Sequence, residues 1–240
     1  QAPPDGPTFG VVSSAFTVNP SLHDDLPYDT FADVTPITQI GVVSGALVAH
    51  PDFPVRTVDD LVAQARARPG QISYASLGVG TAAHITAELL KKRKGIDLIH
   101  VPYSGSSAAY RDLLPGRIPV GFVVLESALP HIQAGRLRLV CLTDAHRNRL
   151  YPDVPVLEES APGLGYESVF GLIGPRGLSP ALTRALNADI VAVLREPAIR
   201  ARLLAQSMTV VASTPGDFAA VIRRDVAYWK KAVRESGARA

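Results

Sequence analysis

Between Tyr74 and Leu89 the chain reads YASLGVGTAAHITAEL. A strand-like run passes through a glycine turn into a helix, and that succession limits the fold more than any other feature. Such a unit belongs to α/β architecture, where a helix N-terminus stands at the carboxyl edge of a sheet with its first amides unpaired. The spacing G-x-G-x-x-A admits three readings. The glycines can simply permit a tight turn. Alternatively, backbone N–H groups and the hydroxyls of Ser76 and Thr81 surround an anion, with Thr81 as N-cap and the helix dipole favouring negative charge. A dinucleotide site needs more: an acid about 20 residues on, at the end of the next strand. Asp97 has the distance but opens IDLIHV instead of closing it. No G-K-[ST] follows, which excludes a Walker loop.

A second loop has the same texture. Tyr103-Ser104-Gly105-Ser106-Ser107 leaves the strand-like run at 97–101 and leads into a short helix at 108–114. Side by side in a parallel sheet, both loops would lie where open α/β sheets bind ligands. Their hydroxyls and lack of charge suit a carboxylate held by neutral donors. Tyr103 could cover the apolar body of a ligand or be half-buried filler.

The remaining chain continues the alternation. Strand-like runs are expected at 8–13, 37–50 (one or two strands), 72–75, 118–125, 137–142 and 169–174. Helices are expected at 57–68, 82–91 and 128–134, from Ser179-Pro180 to Pro197, and at 215–233. Leu182, Ala185, Leu186, Ile190, Val193 and Leu194 would form the buried stripe of the helix after Ser179; Trp229 lies on that of the last helix. This spacing predicts a parallel-sheet α/β fold. The stretch at 143–168 is polar and rich in proline and glycine, which fits a crossing between lobes.

With 240 residues, 47% of them hydrophobic, the chain can build a sizeable core. A formal charge of +2 argues against nucleic acid or a membrane surface as partner. Lys91-Lys92-Arg93-Lys94 reads as a solvated helix end. No apolar run approaches the ~20 residues that span a bilayer. The one cysteine, Cys141, lies in LRLVCL and reads as a buried hydrophobe. Catalytic patterns are missing: there is no G-x-S-x-G elbow, and Ser106-Ser107 stand in GSSAA. His23, His50, His84, His100, His131 and His146 are scattered, and Asp52, Asp59, Asp60 and Asp97 have no metal-ligand spacing. His84 reads as a helix-surface residue. No cofactor is implied.

The ordered motifs resemble one family. NPSL at 19–22, LPYD at 26–29 and D-x-T-P-I at 33–37 follow PDGPTFG at 4–10. YASLGVGTAAH at 74–84, VPYSGSSAAYRDLLPG at 101–116 and AGRLRLV at 134–140 come next. YPDVPVLEE at 151–159 and GLIGPRGLSPAL at 171–182 complete the series. Together they are similar to the extracytoplasmic solute receptors of tripartite tricarboxylate transporters, the Bug family. The resemblance implies a periplasmic-binding-protein type II-like fold, with two α/β lobes and a cleft between them. The lobes are expected at 1–48 with 144–240, and at 49–143. It further implies a periplasmic, non-catalytic protein that hands a small carboxylate to membrane subunits of a transporter. Cleft-facing residues carried over from the family are Ser13, Ser14, Ser76, Gly78, Gly80, Thr81, Tyr103, Gly105 and Ser106. Two alternatives from other classes are a ligand-free interaction module and a nucleotide-linked enzyme.

Two departures stand out. Family members place a strand, a P-G-G loop, a helix and another strand before the PDG segment. The first lobe is therefore expected to be incomplete at its N-terminus, with a free sheet edge that invites self-association. Relatives also commonly carry a basic residue where this chain has Ser104, which removes a charge partner for a ligand.

Overall fold

The structure, a computed structural model, describes residues 3–4 and 8–237. Residues 5–7 of the PDGPTFG segment lie outside the described residues. Strands β1 (Gly10–Val12) and β2 (Val34–Val43) open the chain, with the short helix α1 (Ala15–Val18) between them. Then come β3 (Gly45–Ala49), α2 (Val58–Ala67), β4 (Ser73–Ser76), α3 (Ala82–Lys94), β5 (Ile99–Pro102) and α4 (Ser106–Leu113). β6 (Val120–Val124), α5 (Leu125–Gln133), β7 (Arg138–Leu142) and α6 (Leu157–Ser160) follow. The last third holds β8 (Ser168–Pro175), α7 (Pro180–Arg195), α8 (Pro197–Ala205), β9 (Met208–Val210) and α9 (Pro215–Ser236).

These elements form two compact units, residues 1–43 with 168–233 and residues 44–167 with 234–240. The first division falls at Ser44, between β2 and β3, a few residues before the crossing expected after position 48. The second falls at 167/168 instead of 143/144. The polar stretch stays with the second unit because it is anchored there: β7 is bridged by Val156, and Val156, Leu157 and Leu164 are buried. Ser44 Oγ donates to Asp144 Oδ2 at 2.7 Å, and Asn148 Nδ2 donates to the same oxygen at 3.1 Å.

The first unit carries a four-stranded sheet in the order β1-β8-β2-β9, antiparallel throughout. The expectation of parallel sheets fails here, because no crossover helix joins neighbouring strands of this sheet. Gly171 on β8 makes room for α9: a Cβ there would come within 2.1 Å of the Phe218 ring. Phe218, Ile222 and Val169 form the local core. Helix α7 keeps Leu194 of the expected stripe buried and Leu182, Leu186 and Ile190 half-buried, but Ala185 and Val193 face out and Thr183 and Asn187 turn in. Thr183 and Leu194 are buried whereas Val193 is 48% exposed, and Asn187 Nδ2 donates to the carbonyls of Ile37 and Ser213. Those two hydrogen bonds set the helix rotation. Helix α7 ends at Arg195, just before Pro197 as expected, and Pro197 itself starts α8 as its N1 residue.

The second unit is a five-stranded sheet in the order β5-β4-β6-β3-β7. β4 pairs parallel with β5 and β6, while β3 pairs antiparallel with β6 and β7. Four strands thus run one way and β3 alone is reversed. The parallel strands are the ones connected through α3, α4 and α5, as crossover helices require. Tyr74, Phe122, Leu47, Leu61 and Ile85 are fully buried in its core. Thr57 and Asp60 cap α2 reciprocally, and Gly95 at φ +60° ends α3 beyond the four-residue basic run.

Candidate functional site

Helices α3 and α4 both begin at the carboxyl edge of the parallel strands, from adjacent strands β4 and β5. Chain direction reverses its lateral course here, since β5 lies on one side of β4 and β6 on the other. The crevice that open α/β sheets leave at such a switch point therefore falls between the carboxyl ends of β4 and β6, with the loop after β4 on its border. The two loops are tied together: Tyr103 N–H donates to Ser76 O at 3.0 Å.

The turn 76–81 is internally braced. Thr81 is the N-cap of α3; its hydroxyl accepts from His84 N–H at 3.3 Å and donates to Gly78 O at 2.8 Å. Gly78 and Gly80 have φ of +127° and +76°, a requirement for glycine at both. Ser76 is 0% exposed, with its Oγ 2.6 Å from His100 Nε2 and 3.3 Å from the Gly78 amide that donates to it. Of the expected ligand residues, Ser76 therefore shapes the turn from beneath and presents no hydroxyl to a ligand, since burial removes it from the surface. The amides of Ala82 and Ala83, by contrast, make no hydrogen bond within the protein.

The second loop enters α4 through Gly105 at φ +132°. Ser104, Gly105, Ser106, Ser107, Ala108 and Arg111 line an open groove of ≈ 430 Å³. Ser106 Oγ lies 3.2 Å from Ser127 Oγ, which in turn meets the Tyr110 hydroxyl at 2.8 Å. Tyr103 is committed: its hydroxyl donates to Asp112 Oδ2 at 2.8 Å, and its ring packs against the core of the second unit. Burial and the Asp112 carboxylate push its ionisation up to about 12. Arg111 is the charged side chain in this groove, and sequence reasoning passed over it. Its position, five residues after Ser106 on a short helix, was the available signal.

Ser13 and Ser14 belong to the first unit, between β1 and α1. Ser14 is buried and its Oγ accepts from Val169 N–H at 2.9 Å, so it ties the loop to β8. Ser13 is partly exposed, and its carbonyl accepts from Phe16 N–H at 2.9 Å.

Sequence reasoning also missed a polar layer under the turn. His84, expected on a helix surface, is buried. Its Nδ1 accepts from Gly80 N–H at 3.1 Å. This is a capping box displaced by one residue, with a histidine at N3 reaching back past the cap; the Thr81–His84 spacing was its signal. His84 stacks on His100 at 4.1 Å between centroids, and Tyr74 stacks on the other ring at 4.9 Å. Tyr74 O–H donates to Glu88 Oε1 at 2.6 Å, and Lys91 Nζ reaches both Glu88 oxygens at 2.9 Å. Burial lowers the basicity of both imidazoles; for His100, with His84 as second cause, the value falls to about 4. Glu88 ionises more easily than usual, because its hydrogen bonds to Tyr74 and Lys91 outweigh the burial that opposes them. Burial also pushes the Cys141 thiol up to about 12, which leaves it inert.

Asp97 precedes β5, at the end of the strand away from the glycine turn, so no acid is placed to hold a ribose there. Among the described residues, no group of three or more His, Cys, Asp or Glu could hold a metal ion. No helix among them is long and apolar enough to cross a membrane.

Comparison with known proteins agrees with this architecture. The family described as "Tripartite tricarboxylate transporter family receptor" matches residues 1–238. Protein BugT of Bordetella pertussis is 32% identical over 242 residues, covering 98% of this chain and 73% of BugT. A solved periplasmic transporter superposes with a TM-score of 0.90 at 30% identity, covering 100% of this chain and 81% of that one. R. palustris Rpa4515, solved with adipate, gives a TM-score of 0.91 at 28% identity with the same coverage. The fold is thus the periplasmic-binding-protein type II-like arrangement of two α/β lobes. The chain belongs to the receptor family of the tripartite tricarboxylate transporters: it is a periplasmic solute-binding receptor that binds its ligand without transforming it.

Proposed function

We propose that this receptor takes a small organic carboxylate, and that the loops after β4 and β5 hold one of its carboxyl groups. The observation that carries the reading is the pair of adjacent helix N-termini. The unpaired Ala82 and Ala83 amides and the Ser104–Ser107 groove are neutral donors at the positive ends of two dipoles. Gly78, Gly80, Thr81, Gly105 and Ser106 form the surface of this set, with Tyr103 at its side and Ser76 beneath it. Ser13 and Ser14, between β1 and α1, are proposed separately as the ligand contacts of the first unit. Arg111 supplies a cation at the margin of the groove, in place of the one that Ser104 lacks. Adipate, bound by the R. palustris relative, is a reasonable first probe for this chain.

Calorimetry with adipate and shorter and longer dicarboxylates tests the reading. Binding that weakens when Ser106 and Arg111 are replaced by Ala supports it. A folded protein that binds none of these anions at millimolar concentration refutes it.

Self-association is a second proposal, from a different observation. β1 is an edge strand, and Phe9 and Val11 beside and within it are 51% and 67% exposed. An apolar edge of this type pairs readily with another copy. Sedimentation of wild type against Val11→Lys decides it: a dimer that dissociates in the variant supports pairing, and a wild-type monomer at high concentration rules it out.

A further inference from the structure

Two imidazoles grip the glycine turn from below, one at each end. His84 Nδ1 takes the Gly80 N–H at 3.1 Å. His100 Nε2 lies 2.6 Å from Ser76 Oγ, the atom to which Gly78 N–H donates. The rings are stacked 4.1 Å apart and within 10° of parallel. We propose that His84 and His100 are positioning residues that hold the glycine turn, and that the hold at Gly80 lasts only while His84 is neutral, so that acid releases the loop. The proposal deepens the carboxylate reading and rests on it for its consequence in binding.

The geometry dictates the protonation state. To accept from Gly80, His84 Nδ1 must keep its lone pair, which puts the single proton of the neutral ring on Nε2. A proton gained at Nδ1 would set N–H against N–H and expel the Gly80 amide. Gly80 sits at φ +76° at the C-terminal end of the turn, so that amide is among the few contacts fixing the peptide plane there. A proton on His100 instead places a cation against the face of His84, where a second proton then meets like charge.

The surroundings offer only the Glu88 carboxylate in compensation, and Lys91 opposes it. From α3, Glu88 and Lys91 face the pair; from β4, the Tyr74 hydroxyl does; β5 contributes only His100 itself. Glu88 is already satisfied by Tyr74 O–H and Lys91 Nζ. A proton on the stack would therefore leave a cluster with excess positive charge. Burial is the leading cause that lowers both rings. Because the folded values lie below the usual 6.5, the hold is complete above that pH. It is lost as pH falls below 6.5 through the lowered value of His84.

The test uses conservative replacements. In His84→Asn the side-chain oxygen stands near the position of Nδ1 and can accept from Gly80. In His100→Gln an amide group replaces Nε2 opposite Ser76. The double variant keeps both contacts and loses titration. Two quantities are measured on it and on wild type, from about pH 7.5 to about pH 4.5. They are amide hydrogen exchange across 77–83 in the free protein, and adipate affinity by calorimetry. Adipate takes up protons in this range, but equally for both proteins, so the ratio of affinities isolates the protein's share.

We expect exchange in the wild-type turn to accelerate by about tenfold relative to the variant at the acid end, with a parallel relative loss of affinity. Parallel exchange profiles in the two proteins overturn the proposal, whatever adipate does. Divergent exchange without adipate binding at neutral pH sinks the carboxylate reading instead and leaves the latch standing. If the double variant does not fold, NMR titration of the wild type decides alone. The Gly80 amide shift must then follow the imidazole titration; an amide indifferent to it overturns the proposal.

Discussion

The Tyr103 amide donates to the carbonyl of Ser76 across 3.0 Å, so the loops after β4 and β5 leave the sheet as one braced piece. The carbonyl of the same tyrosine lies 3.6 Å from where a side chain on Gly78 would begin. Changes in one loop are therefore felt in the other.

Gly80→Val is the sharpest probe of the turn. A β-branched residue at φ +76° is strained by at least ~1–2 kcal/mol, and its branches occupy space where a ligand would approach the backbone. The matched control is Gly95→Val, at φ +60° with nothing within 4 Å of its added Cβ. Both variants should lose stability by similar amounts in urea melts, while only Gly80→Val loses anion affinity, by about tenfold or more. Equal affinities in the two variants would make the turn purely structural.

Thr81→Ala removes an N-cap whose hydroxyl both accepts from His84 N–H and donates to Gly78 O. The expected cost is ~1 kcal/mol of unfolding free energy without ligand. Thr81→Ser should restore most of it, since the hydroxyl does the capping.

Asp144 is nearly fully buried, with Oδ2 bonded to Ser44 and Asn148 and Oδ1 without a partner. Burial, opposed by the two hydrogen bonds, raises its ionisation above the usual 3.8. Its stabilising contribution is thus complete at low pH and fades as pH rises through the raised value. Asp144→Asn keeps an oxygen for Ser44 and Asn148 and removes the charge. Chemical denaturation should show the variant more stable than wild type at pH 7, by roughly 1 kcal/mol, with the gap closing towards pH 4. A gap that widens on acidification contradicts this account.

Gly171→Ala should cost about 1–3 kcal/mol and spread to α9, because the new methyl would overlap the Phe218 ring. Phe218→Leu on top of it should recover part of the loss, a coupling that a double-mutant cycle measures.

Features encoded within one element were legible before any coordinates. Thr81 ahead of an apolar helix and the basic run at its end predict α3 from local chemistry, and Ser179-Pro180 predicts the start of α7. Trp229 on the stripe of α9 is likewise buried. What failed depends on contacts distant in sequence. His84 is a surface residue by helical position and becomes buried only because His100, on another strand, stacks against it. In α7 the expected stripe gains an unexpected neighbour, Asn187, which reaches Ile37 and Ser213 in a polar contact that hydrophobic periodicity ignores. The polar stretch after Thr143 belongs to the second unit through Asp144, Asn148 and Val156, none of which reads as an anchor locally. The glycine loops themselves were visible, but the distinction between buried Ser76 and the free Ala82 and Ala83 amides was not.

The antiparallel register of the first sheet has a temporal consequence. Gly10 pairs with Ile173 and Val34 with Pro175, so β1 and β2 have no partner until β8 leaves the ribosome or the export channel. Residues 44–167 are contiguous and can condense in the meantime. A nascent chain would thus carry a finished sheet preceded by two orphan strands. Closing loops of that length is slow relative to local assembly, and an unpaired strand is adhesive while it waits. Chaperone dependence in synthesis or transit should accordingly map to β1 and β2.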